Sequence, residues 1–206
     1  MKIYPSVMGK SQKEINTLFS KLEGVSKELH LDIADGKFVH NTSLWFDFKL
    51  SKKFKYNAHL MIAHPERWIE KHGKKVDLCI VHFHALKHIQ FFIEYMRSKN
   101  KKVAIALNPE TKIKELKHYL PDIDVILILT VHPGFYGAKF LSSPLKKIKK
   151  IKKINPDITV FVDGGMNPKT IRKAKKAGAD FIISGSFISK SKNPRKAMRE
   201  LRALVK

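Results

Sequence analysis

Cysteine is nearly missing from these 206 residues: Cys79 stands alone, inside the apolar run DLCIVHF (77–83). A lone thiol closes no internal disulfide, which excludes a disulfide-stapled fold and suits a reducing compartment. Cys79 is expected as a buried structural thiol. Nowhere do ~18 apolar residues follow one another, so no membrane span is expected. The opening MKIYPSVMGK has no apolar run of signal-peptide length, and the cytoplasm is the expected location. Acidic side chains are scarce, 18 against 41 Lys and Arg, for a formal net charge of +23. Such an excess attracts polyanions: nucleic acid, anionic membranes or phosphorylated metabolites. Yet no aromatic-interleaved RNA-binding motif and no zinc-finger spacing accompanies it. LKKIKKIKKI (145–154) reads as an amphipathic helix with a lysine face. A solvated basic surface is therefore expected, rather than a nucleic-acid partner.

What is present is a globular composition. Hydrophobic residues make up 43% of the chain, with 13 phenylalanines and two tryptophans, enough for one sizeable core. No linker or low-complexity block divides it, so 1–206 is read as a single domain. Short apolar runs recur as strand candidates: KIYPSV, ELHLDIA, YNAHLMI, DLCIVHF, KVAIAL, DVILILTV, ITVFVDG and DFIISG. Most are nearly continuous, as strands covered on both faces are. Helical patterns lie between them, among them KSQKEINTLFSKLEG, PERWIEKHGKK, HIQFFIEYMRSK, NPKTIRKAKKAG and PRKAMRELRALV, with a weaker one around LWFDFKLSKKF. Eight such alternations predict an α/β protein, a (β/α)8 TIM barrel, with a doubly wound open sheet as the alternative. Polar residues gathered at the C-terminal ends of the strands favour the barrel, because barrel active sites are built on that face.

Those strand-end residues are Ser6, His30, Asp32, His59, His82, His84, Asn108, Thr130, His132, Asp163, Ser184 and Ser186. In HLDIADGKFVHN (30–41), alternation puts His30, Asp32 and Ala34 on one face and Leu31 and Ile33 on the other. An imidazole and a carboxylate turned inward are costly unless paired or bound to a metal. His30, Asp32, His59 and Asp163 are able to share one divalent cation; their mixed N/O set suits Zn, Fe, Mn or Co without choosing among them. Spacing alone fits satisfied core histidines just as well. A second group is the glycine-rich turns HPGFYG (132–137), DGG (163–165) and SGS (184–186), after predicted strands 6, 7 and 8. Loops there often cradle a phosphate with backbone N–H groups, approached closely where a side chain is lacking.

Seven stretches in order, PSV, HLDIADGKFVHN, HLMIAHPERWI, LNPET, TVHPGFYGAKF, VDGGMNPKTI and AGADFIISGSFI, resemble the motifs of the ribulose-phosphate 3-epimerases from residue 3 to about 188. The resemblance implies a (β/α)8 barrel that inverts C3 of a ketose phosphate with one divalent metal. The pair implied is D-ribulose 5-phosphate and D-xylulose 5-phosphate. Carried over by position, it makes His30, Asp32, His59 and Asp163 the metal ligands, and Asp32 and Asp163 the acid/base pair working through a metal-stabilised enediolate. Ser6 and His59 would contact the sugar. Gly134, Phe135, Tyr136, Gly137, Gly164, Gly165, Gly185 and Ser186 would surround the phosphate end. A homo-oligomer is compatible with this reading.

The match has departures. Ala34 stands where the family has methionine, His40 where it has proline, Leu129 for another methionine, and His84 for a glutamate. Tyr136 and Ala138 alter the GFGGQ stretch. Loss of the methionines is expected to enlarge or repolarise the cap over the metal site, and another ketose phosphate, such as a hexulose 6-phosphate, is the alternative substrate. A decarboxylase or synthase of the related D-x-K-x-x-D type is disfavoured, because Ala34 takes the place of its lysine. A basic nucleic-acid-binding or scaffold barrel without catalysis is the alternative from another class.

Overall fold

The computed structural model describes residues 1–134 and 138–206. Eight parallel strands form its frame: β1 (Lys2–Val7), β2 (Glu28–Asp35), β3 (Lys55–Met61), β4 (Leu78–His82), β5 (Ala104–Leu107), β6 (Val125–Leu129), β7 (Thr159–Asp163) and β8 (Phe181–Ser184). Each pairs with its sequence neighbour, and β1 also pairs with β8, Lys2 to Pro5 lying against Phe181 to Ser184. The sheet is thus closed, and the barrel prevails over the open sheet. A two-residue strip, Thr42–Ser43, runs antiparallel to the end of β2.

Alternation along the strands divides the core in two. Inward residues Tyr4, Leu78, Ile80, Ala104, Ala106, Val125, Leu127, Phe161 and Ile183 fill the barrel. Outward residues such as Ile3, Leu31, Ile33, Ala58, Val81, Ile105, Ile126 and Val162 meet the surrounding helices. Burial of both faces is why these strands read as continuous apolar runs.

The helices are α1 (Gln12–Leu22), α2 (Pro65–His72), α3 (Ile89–Ser98), α4 (Lys146–Ile154), α5 (Ile171–Ala177), the one-turn α6 (Ser186–Ser189) and α7 (Pro194–Ala203). Ser11 caps α1 by accepting the Glu14 N–H, and Asn193 caps α7 through the Lys196 N–H. In α4 Ile148 and Ile151 are buried and Lys146, Lys149, Lys150 and Lys153 face outward, but the lysine face is not wholly solvated: half-buried Lys147 donates to the Asn108 and Pro109 carbonyls and Lys152 pairs with Asp180. Cys79 is buried. No helix among the described residues is long and apolar enough to cross a membrane.

The expected helix around LWFDFKLSKKF is absent. Residues 44–54 are irregular, with Leu44 and Phe48 buried, Phe46 and Leu50 half-buried, and Trp45, Asp47 and Lys49 exposed. That is a period of two, which belongs to extended chain rather than helix. Gln12 secures the segment from both sides: its amide donates to the Lys49 carbonyl (3.1 Å) and accepts the Lys49 N–H (2.8 Å). Between β5 and β6 the chain makes 3-10 turns at Ile113–Glu115 and Lys117–Asp122 in place of an α-helix.

Candidate active site

At the C-terminal mouth the inward faces of the same strands turn from apolar to polar. β1 contributes Ser6, β2 His30 and Asp32, β3 His59, β4 His82 and β7 Asp163. The pairing register sets them side by side: Ser6 lies opposite His30, and Asp32 opposite His59. One ligand atom from each of His30, Asp32, His59 and Asp163 lies within 4.8 Å of all the others. His59 Nδ1 is 3.2 Å from Asp32 Oδ1 and 3.9 Å from Asp163 Oδ2, and His30 Nε2 is 3.5 Å from Asp32 Oδ1. The four expected ligands thus form a buried cluster able to bind a metal.

Their protonation follows from this crowding. Burial works to raise Asp32, but hydrogen bonds from His59 and Ser6 and the nearby imidazoles outweigh it, so its pKa is lowered. Asp163 goes the other way. Burial and the charge of Asp32 push it well above the usual carboxylate range, although the Gly164 N–H partly offsets them. Two adjacent carboxylates are thus pushed in opposite directions, Asp32 toward the anion and Asp163 toward the acid. Burial holds His30 near a pKa of about 4 despite Asp32, so it is a neutral imidazole at pH 7.

The donor set also fits a cation on its own terms. His30 is fully buried, and neither of its ring nitrogens closes a hydrogen bond. Orphaned nitrogens facing two carboxylates are what a neutral N/O ligand set presents to a divalent ion.

Neutral buried histidines also make an acid-sensitive fold. The unfolded chain protonates His30 below its ordinary 6.5, whereas the folded chain does so only near 4. The contribution of His30 is full above 6.5 and is lost as pH falls through that window, up to ~3 kcal/mol. Buried His82, lowered further by desolvation and by His59, acts in the same direction. Asp163 opposes them, since its raised pKa favours the fold in acid. Asp32, with its lowered pKa, sides with the two imidazoles, so in chelator the melting temperature is expected to fall between pH 7 and 4. A melting temperature that stays flat or climbs would refute this balance.

The second group of residues fixes the turns around the cluster. The Thr130 hydroxyl donates to the carbonyls of Asp163 (2.8 Å) and Gly164 (2.6 Å), tying β6 to the end of β7. Ser184 donates to the Met166 carbonyl, and Thr170 to that of Gly165. Gly164 has φ +108°, and a Cβ there would lie 2.6 Å from Val131 Cγ2 and 2.9 Å from Val131 N. No other residue fits without moving the strand end.

The cleft over the cluster is lined by Ser6, Asp32, His59, Gly134, Asp163, Gly164, Gly165, Gly185 and Ser186. Every expected sugar- or phosphate-end residue that the structure describes is among them. Phe135, Tyr136 and Gly137 lie outside the described residues.

The cap over the cluster is largely apolar. Met8, Met61, Leu129, Val131 and Met166 give the cleft an apolar wall. Ala34 is fully buried in a cluster with Val39, Met61 and Phe38, so its small side chain opens nothing. Met8 and Met166 were not anticipated, because they lie beyond strand ends and carry no periodic signal. Of the other strand-end residues, His84 bonds Thr111 (3.0 Å) and the exposed His132 lies 3.8 Å from Glu110; neither lines the cleft.

Comparisons with known proteins agree with the barrel fold. Among solved structures, a 3-hexulose-6-phosphate synthase is similar over 100% of both chains, with a TM-score of 0.69 at 19% identity. The orotidine 5'-phosphate decarboxylase of Pyrococcus horikoshii OT3 covers 98% of both chains, with a TM-score of 0.62 at 16% identity. At these identities the likeness is one of fold.

Sequence relatives go further. The ribulose-phosphate 3-epimerase of Bacillus subtilis (strain 168) is 30% identical over 98% of both chains. That of Methanocaldococcus jannaschii is 33% identical, covering 84% of this chain and 77% of its own. The sequence profile of the Ribulose-phosphate 3 epimerase family matches residues 2–189. The chain therefore belongs to the ribulose-phosphate 3-epimerase family.

Proposed function

We propose that this protein inverts C3 of a ketose phosphate, interconverting D-ribulose 5-phosphate and D-xylulose 5-phosphate. The observation that carries this reading is the pair of carboxylates, Asp32 on β2 and Asp163 on β7, that line one cleft beside His30 and His59. Inversion next to a carbonyl needs one group to take the C3 proton and another to return a proton to the opposite face. β2 and β7 stand three strands apart around the closed sheet, so their carboxylates approach a central substrate from different sides. Asp32 acts as base toward one epimer while Asp163 acts as acid, and the roles exchange for the reverse reaction.

His30, Asp32, His59 and Asp163 would hold the cation, which supplies Lewis-acid stabilisation of the charge developing on the substrate oxygens. Ser6 and His59 orient the sugar. Gly134, Gly164, Gly165, Gly185 and Ser186 leave room for the phosphate end, and the excess of lysine and arginine favours encounter with a phosphorylated substrate. The apolar wall of Met8, Met61, Leu129 and Met166 limits water over the reacting carbon, where fixed charges act most strongly. Ala34 presents no amine, which argues against the lysine-dependent chemistry of barrels of similar fold.

The test is incubation with D-ribulose 5-phosphate in D2O, with and without a chelator. Deuterium at C3 together with D-xylulose 5-phosphate, both suppressed by chelation, is the expected result. Exchange into a hexulose 6-phosphate alone would reassign the substrate, and exchange into neither would refute the epimerase reading.

A further inference from the structure

His82 has no part in the reaction as described so far. It ends β4, is fully buried, and carries the ring of Phe38 packed on it at 4.6 Å. Its Nε2 lies 2.8 Å from Nε2 of His59. The ring centroids are 4.9 Å apart and the planes only 28° apart. Two rings with touching nitrogens and such a separation meet edge to edge, as an in-plane N–H···N hydrogen bond requires.

That contact holds one proton. Two N–H groups would collide and two lone pairs would repel, so one imidazole donates and the other accepts. The opposite nitrogen of His59, Nδ1, faces Asp32 and Asp163. Without a cation, Nδ1–H donates to Asp32 and the histidine pair runs from His82 to His59. A ligating nitrogen instead presents a lone pair. Once Nδ1 is committed to a cation, the His59 proton resides on Nε2 and His82 Nε2 must accept it. His82 then carries its own proton on Nδ1. Asn108 is the side chain that favours a proton on this ring, and its Oδ1 is a buried acceptor not otherwise used.

We infer that His82 is a positioning residue of the metal site: by accepting the Nε2–H of His59 it fixes the tautomer whose Nδ1 can ligate. The inference rests on His59 being a ligand. A bare alkyl or phenyl side chain at 82 would leave the Nε2–H buried without an acceptor, in a pocket that Phe38 closes. Outer partners of this kind orient ligating imidazoles and raise their basicity.

Zn2+ is the probe, bound to the whole chain and measured by chelator competition. His82→Phe removes the acceptor and is expected to weaken Zn2+ binding about 10- to 100-fold. His82→Gln offers a carbonyl oxygen to the same proton and is expected to stay near wild type. Equal weakening of both variants, or wild-type affinity in His82→Phe, would overturn the inference. His59→Ala separates the two readings. If His59→Ala loses Zn2+ while His82→Phe keeps it, only the role of His82 falls; if His59→Ala keeps it, the ligand assignment falls as well. Should His82→Phe not fold, 15N-histidine NMR of the Zn2+-loaded wild type decides. Protons on Nε2 of His59 and Nδ1 of His82 are expected, and a proton on Nε2 of His82 would refute the scheme.

Discussion

Asp32→Asn and Asp163→Asn are each expected to lower epimerisation by at least about 10²–10⁴-fold, the usual worth of a positioned acid or base. An amide keeps the shape of the carboxyl but carries no transferable proton at this pH. The informative difference lies in exchange rather than turnover. In Asp163→Asn the remaining Asp32 still takes the C3 proton from the epimer it faces and can return a deuteron to the same face. Deuterium should therefore enter one epimer with retention in Asp163→Asn and the other epimer in Asp32→Asn, with little product from either. Exchange into both epimers in a single variant would show that one residue serves both faces, and the two-base assignment would fail.

Removing the metal is expected to abolish turnover completely and reversibly. Without a cation, burial and the charge of Asp32 keep Asp163 protonated well above the ordinary carboxylate range. The site then loses its Lewis acid and one of its two bases together. Returning Zn2+, Mn2+ or Co2+ displaces that proton, because the ion replaces mutual repulsion with attraction. Affinity should therefore rise with pH as Asp163 titrates and fall in acid, where the proton competes. Competition titrations at several pH values measure this; an affinity unchanged across the acid range would show that no proton is released on binding.

The barrel was legible in the alternation of strands and helices, whereas the four-residue cluster was one of two readings of the strand-end polar residues until the family motifs chose it. Asp163 stands out because it ends the apolar run of β7, whereas His30, Asp32 and His59 interrupt apolar strands from within. The segment 44–54 was misread although Phe46, Phe48 and Leu50 alternate with Asp47 and Lys49, because so short an alternation between flanking apolar and basic residues suits a helix as well as an extended strip. The contact between His59 and His82 left no trace either. It depends on the ring orientations of residues on adjacent strands, and one-dimensional spacing carries no such information. The apolar cap escaped for a related reason: Met8 and Met166 line the cleft from beyond the strand ends, outside any periodic pattern.

The pairing of Lys2 to Pro5 with Phe181 to Ser184 has a consequence for how the molecule comes into being. The first strand to leave the ribosome finds its second neighbour only when nearly the whole chain has been made. Ser189 then reaches back to the Ser6 carbonyl at 2.7 Å. Until that moment both β1 and the growing front of the sheet are open edges, exposed to mispairing with other nascent chains. Closure of the sheet joins β1 to β8 beside the strands that carry Asp32 and Asp163. A chain stopped short of β8 would carry all four residues of the cluster and still have no closed mouth to hold them in place.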